Sequence, residues 1–305
     1  MINLLKTKTL AWIDIQRPDD KDIKFLSERF NFHPLVLKEL LPPMDHPKIE
    51  NYGDYIYLVL YYPSYERSSR ITIPLELDII VGKNYIITSH YQTIIPLKAI
   101  FDRVNLFEDV RHELTDEGPG ELLYRIINEC LKNSFPKIDN INKNLNYIEK
   151  ELFSKKMREE LISEISVSKR DVINFQRTIE PQRLVLEELV ESATALFGEK
   201  FRPYFRSLLG TFNHIISLLK SCRGTIESLD EMHKALISIR TNEIVKVLTS
   251  VTVILTPMGL IANFFGMSIQ KIPYKENSYA FFVITGTIIL FGIILALIFK
   301  KKKWL

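Results

Sequence analysis

The chain has 305 residues, 40 Lys+Arg against 37 Asp+Glu, and a mean hydropathy of +0.02. Those averages describe a faintly basic globular protein, but residues 247–267 and 279–299 each run for 21 positions without a charged side chain. At 1.5 Å rise per residue each makes a helix of roughly 31 Å, about the hydrocarbon thickness of a bilayer, which argues against a wholly soluble protein.

The charge is also uneven. Residues 1–246 carry 34 basic and 36 acidic side chains; the excess comes from Lys271 and Lys275 against Glu276, and from four lysines at 300–303. No basic nucleic-acid face is indicated, and no nucleic-acid partner is expected. Cys130 and Cys222 form no CxxC pair and read as reduced thiols of a cytosolic compartment. Lys6 and Lys8 interrupt any signal-peptide core at the N-terminus.

In chain order, residues 19–30 and 33–41 have helical spacing. Pro34 opens the second helix and Pro42-Pro43 stops it. Residues 55–62, rich in aromatic and β-branched side chains, read as a strand. Residues 75–81 and 85–88 read likewise, joined by Gly82-Lys83-Asn84 as a hairpin. This predicts a small α/β domain with a mostly buried sheet. Beyond Gly120 the pattern turns helical over 121–151 and 157–196, with breaks at Pro136 and Pro181. After Pro203 no proline follows until Pro257, so 204–265 reads as one helix of 62 residues, roughly 93 Å long. Such a helix is too long to bury itself in a small domain, and is expected to be a stalk that associates with copies of itself and continues into the membrane.

Two spans joined by a short loop put both chain ends on one side. The lysines after Phe299 place that side in the cytoplasm by the positive-inside rule, so the expected location is the cell membrane, multi-pass, with membrane lipid as a partner. The first span carries the chemistry. Asn242, Val245, Thr249, Thr252, Thr256, Gly259 and Asn263 recur at alternating steps of three and four. That 3.5-residue repeat keeps one face towards a symmetric partner. Leu248, Val251, Ile254, Leu255, Leu260 and Ile261 lie off it. Two readings stand: a water-filled axial pore, or close packing of small residues with threonines bonding to their own backbone. Pro257 frees one carbonyl within the span, which lumen water or Thr256 could satisfy.

Phe264-Phe265-Gly266-Met267-Ser268 resembles the YGMNF signature of CorA-type magnesium transporters. Thr241-Asn242-Glu243 with Lys246-Val247-Leu248-Thr249 is similar to the start of that family's pore helix, and Lys-Lys-Lys-Lys-Trp304-Leu305 to its ending. Trp12-Ile13-Asp14, His33-Pro34-Leu35 and Pro47-Lys48-Ile49-Glu50 add to the resemblance. It implies a CorA-like homopentamer that passes divalent cations such as Mg²⁺, Co²⁺, Ni²⁺ or Zn²⁺. The implied organisation is a cytoplasmic α/β and helical funnel at 1–203, the long stalk and pore helix at 204–267, and an external loop at 268–278. A second span at 279–299 and a basic cytoplasmic tail at 300–305 complete it. No resident cofactor is implied beyond the transported or regulatory cation, and no catalytic motif is present.

In this family a Gly-Met-Asn ring grips a hydrated cation. Gly266 and Met267 match, and Ser268 replaces the asparagine with a shorter acceptor arm. Asn263 stands where a glycine is common, one to two turns deeper, and Lys271 opposes cation access at the outer mouth. The ion filter is therefore read as Gly266, Met267, Ser268 and Asn263, either with the Asn263 ring holding the hydrated ion, or with selectivity changed towards other ions, including anions. A third reading is a non-conducting pentameric sensor or scaffold. Val245 and Leu248 are candidates for a hydrophobic gate, or plain packing residues. Glu227, Asp230 and Glu231 read as a solvated face, and the six histidines as structural.

Overall fold

The computed structural model describes residues 2–41, 43–154, 160–266 and 279–302. The chain divides into two compact units, Met1–Leu229 and Asp230–Leu305.

The first unit begins with β1 (Ile2–Lys6), β2 (Ala11–Gln16), α1 (Asp20–Arg29), α2 (Pro34–Glu39), β3 (Lys48–Asn51), β4 (Tyr55–Glu66), β5 (Ile71–Gly82) and β6 (Tyr85–His90). The strands form one sheet in the order β1-β2-β6-β5-β4-β3. All neighbours are antiparallel except β2 and β6, which run parallel. Strands β4, β5 and β6 fall where the sequence places them. Their apolar residues run on without alternating because both faces are covered. Tyr55, Tyr57 and Val59 join Leu26, Val36, Leu37 and Leu40 beneath α1 and α2. Their neighbours Ile56, Leu58 and Leu60 are equally buried on the opposite face.

Trp12 shows how that second face closes. Its indole N–H donates to Thr88 Oγ1 at 3.1 Å, and its ring meets Phe101 of α3 (Ile95–Leu106) edge to face at 4.9 Å. Local chemistry fixes the element ends. Asp19 caps α1, accepting from the Lys21 and Asp22 N–H groups at 2.9 and 3.0 Å, and Asp22 accepts in return from the Asp19 N–H. His33 Nδ1 accepts from the Leu35 N–H at 3.2 Å to cap α2. At the β5–β6 hairpin a Cβ on Gly82 would lie 2.5 Å from the Tyr85 ring, so a larger residue there would displace that ring.

The helical layer comprises α4 (Glu108–Thr115), α5 (Pro119–Lys132), α6 (Phe135–Leu152), α7 (Glu160–Ile179), α8 (Arg183–Phe197) and the start of α9 (Arg202–Gly266). Pro136 lies in the first turn of α6, just after the break, and Pro181 sits in the 3-10 turn Glu180–Gln182 between α7 and α8. That second break aims Gln182 at the sheet. Its amide accepts from the Tyr61 N–H at 3.0 Å and donates to the Tyr61 carbonyl at 2.7 Å. Pairing of β3 with β4 reaches only Val59, so a side chain completes the strand edge beyond it. Asp171 of α7 does the same for β5, accepting from the Thr72 N–H at 2.5 Å.

Helix α9 is continuous for 65 residues, through Pro257. Its opening differs from a stalk packed only against copies of itself. Phe205, Leu208, Phe212, Ile215, Leu219, Cys222, Ile226 and Leu229 are all buried, at steps of three and four. They face the first unit itself: Tyr204 meets Tyr124 of α5 at 5.2 Å, and Cys222 Sγ donates to Asn142 of α6 at 3.2 Å. Up to Leu229 this apolar face of α9 is buried within the first unit of the same chain. Both cysteines are free and buried, and burial pushes the Cys130 thiol upward.

Candidate functional site

The second unit holds the rest of α9 together with α10 (Ala280–Lys301). Both helices are long and apolar enough to cross a membrane, with mean hydropathies of 1.9 and 2.8 over their most apolar stretches. Lys300 and Lys301 form the last turn of α10, where cations complement the helix dipole, and Lys302 caps it.

The two helices show which of their faces are packed. Along α9 the less exposed positions are Lys246, Ser250, Ile254, Pro257, Met258 and Ile261, with Ser250 fully buried. Along α10 they are Ile284, Thr285, Ile288, Gly292, Leu295, Ala296 and Phe299. Each set recurs every three or four residues and so lies on one face. The faces meet at Gly292, where an added Cβ would lie 2.7 Å from Met258 Sδ. Glycine there leaves room for the Met258 side chain against α10, a use of small residues common at membrane helix contacts.

The stripe read from the sequence lies on the other side of α9. Asn242, Val245, Thr249, Thr252, Thr256, Gly259 and Asn263 are all exposed in the single chain. At about 100° per residue, the centre of this stripe stands roughly 150° around the helix from the α10 face. Thr252 Oγ1 donates to the Leu248 carbonyl at 2.9 Å, as a packed threonine would, while its oxygen keeps lone pairs for a further donor. Val245 and Leu248, the gate candidates, are 52% and 65% exposed on this side. Asn263 lies in the last turn of α9 and Gly266 ends it. Met267, Ser268 and Lys271 lie outside the described residues, as does all of the expected loop.

Other sequence-flagged groups have local partners. Glu227 accepts from Arg223 Nε at 2.9 Å and Asp230 from Lys234 Nζ at 3.1 Å, pairs of one helix turn. His90 is buried between Asp14, 3.4 Å away, and the Gln92 carbonyl. Among the described residues no group of three His, Cys, Asp or Glu side chains is placed to hold a metal. Sequence reasoning missed the half-buried Lys137 and the cavity it lines, because its neighbours come from segments 65 to 171 that carry no shared motif.

Two apolar helices packed along one seam, one carrying polar residues on the opposite face, fit a two-span membrane protein. The chain belongs to the CorA-like Mg²⁺ transporter protein family, which matches it over residues 7–301. It is 26% identical over 303 residues to the cobalt/magnesium transport protein CorA of Thermotoga maritima, covering 98% of this chain and 84% of that one. To the cobalt/magnesium transport protein CorA of Methanocaldococcus jannaschii it is 25% identical, covering 97% and 92%. The complete structure of the CorA magnesium transporter from that organism superposes with a TM-score of 0.84 at 22% identity, over 99% of this chain and 93% of that chain.

Proposed function

We propose that the protein forms a homopentameric membrane pore that passes hydrated divalent cations, Mg²⁺ among them, along the α9 stripe. The observation that carries this reading is the opposition of faces. With α10 packed on one side of α9, the polar side is free to face a symmetry axis, where α9 helices would line a lumen and α10 helices would form an outer ring. Threonine hydroxyls and asparagine carboxamides suit an ion that keeps its water, since Mg²⁺ sheds inner-shell water reluctantly.

The lysines of α10 and those that follow it face the cytoplasm, together with the first unit. Asn263 supplies the ring that grips the hydrated ion, with Gly266, Met267 and Ser268 at a wider outer mouth and Lys271 beyond it. Val245 and Leu248 close the cytoplasmic end by dewetting. Nothing in this scheme calls for catalysis or a resident cofactor.

Ser268 and Lys271 favour a second reading, in which the pore has exchanged magnesium preference for other ions, or no longer conducts and serves as a scaffold. Flux through the purified protein in liposomes separates the readings, using Mg²⁺, Co²⁺, Ni²⁺, Zn²⁺, K⁺ and Cl⁻. Saturable Mg²⁺ uptake that fails in Asn263→Ala is expected. Flux of Cl⁻ or K⁺ without Mg²⁺ would establish altered selectivity, and no flux at all would establish the scaffold.

A further inference from the structure

The first unit contains a cavity of about 500 Å³ between the β4–β5 hairpin, α6 and α7, within the size range of small-molecule sites. It stands whether or not α9 conducts ions. Three cations line it, and their partners differ. Arg70 is matched: its two terminal guanidinium nitrogens donate to Glu164, at 2.9 and 2.7 Å. Lys137 and Lys143 have no carboxylate partner among the described residues. Lys137 is half-buried, and its ammonium donates to the Pro63 carbonyl, a neutral group that leaves further donors unused.

A half-buried ammonium without a counter-charge is costly, and burial lowers the Lys137 pKa to about 8. The acid in the cavity does not relieve it. Asp171 is occupied by the Thr72 N–H, and burial raises its pKa, which favours its neutral form. The remaining lining supplies neutral donors and ring surface: Asn140 on the α6 face, and Tyr65 and Tyr147, each about half exposed.

We propose that this cavity binds an organic polyphosphate, with phosphate oxygens at Lys137 and Lys143 and the organic ring against Tyr65 and Tyr147. Lysine is a point-charge partner for phosphate, and two separate ammonium groups favour a ligand with several charges over a single small anion. The volume exceeds what a bare phosphate fills, and the two tyrosines add ring surface to the lining.

Titration calorimetry on the full chain in detergent micelles, in EDTA, tests the site with ATP, tripolyphosphate and adenosine as probes. Saturable ATP binding at one per chain is expected, with weaker tripolyphosphate binding and none for adenosine. Lys137→Met should weaken ATP at least tenfold, while Lys220→Met, at an exposed lysine of α9, leaves it unchanged. Because Lys137→Met could disturb folding, Asn140→Asp provides a second variant; it adds a carboxylate at an exposed cavity position and should also weaken ATP severalfold. Absence of saturable ATP binding, or binding indifferent to both variants, overturns the site. Equal affinity for tripolyphosphate and ATP overturns the role of the tyrosines.

Discussion

The two halves of α9 use the same spacing for opposite ends. From Phe205 to Leu229 a face repeating every three to four residues is apolar and buried within its own chain; from Asn242 to Asn263 an equally regular face is polar or small except at Val245, and exposed. Spacing alone says that a face is addressed to a partner. Side-chain chemistry says which kind: an apolar stripe wants a dry surface, whereas threonine and asparagine at membrane depth want water, an ion or another polar group.

That contrast can be broken by substitution. Phe212, 1% exposed in the first half, should cost about 3–5 kcal/mol when changed to alanine, because a large cavity opens in a packed face. Thermal unfolding followed by circular dichroism should show loss of the first unit. A wild-type melt would mean that the first half is as free as the second.

Gly292→Val sharpens the comparison from the other side. It forces a branched side chain towards Met258, and overpacking of this kind costs about 1–3 kcal/mol. Met258→Ala in the same chain should restore most of the loss. Failure of that rescue would show that the α9–α10 seam lies elsewhere.

Polar groups in the two units also behave differently. Asp78 is buried in the sheet; Tyr57 O–H donates to its Oδ1 at 3.3 Å, and Oδ2 has no partner. Burial raises its pKa well above the usual carboxylate range, followed by the nearby Glu76 charge. A folded-state pKa above the unfolded one stabilises fully below the unfolded value, and that stability is lost as pH rises through the folded value. Asp78→Asn should therefore melt higher at pH 8, by about 1–3 kcal/mol, with the gain vanishing near pH 4. A gain independent of pH would contradict a raised pKa.

The smallest effect belongs to the stripe. Thr252→Ala removes an exposed hydroxyl and should change stability by no more than about 0.5 kcal/mol, even where ion flux falls. Destabilisation above 1 kcal/mol on that same scale would favour the packing reading of the threonines.

What could be read from the sequence follows the strength of periodic signals. Strands β4, β5 and β6 were legible because two long runs of β-branched and aromatic residues flank a hairpin glycine. Strands β1 and β3, five and four residues long at the sheet edges, and the short helix α4 offered too little period to register. The polar stripe was legible as spacing, and its position opposite α10 became visible only once Met258 and Gly292 were seen to meet. The burial of Phe205–Leu229 was hidden for a different reason. Its pattern was readable, but whether helices of the same chain or another copy would cover it depends on tertiary packing. The Gln182 amide on the β4 edge had no sequence signature at all.

Water access along α9 tests the central claim most directly. Single cysteines at Thr249, Thr252 and Thr256, and off the stripe at Val251 and Leu255, can be challenged in liposomes with a charged, membrane-impermeant thiol reagent. Native Cys130 and Cys222 are buried and give little background. The account predicts rapid modification on the stripe, with at least a tenfold fall in Mg²⁺ flux, and little reaction off it. Equal reaction on both faces, or reaction confined to the off-stripe positions, would contradict it.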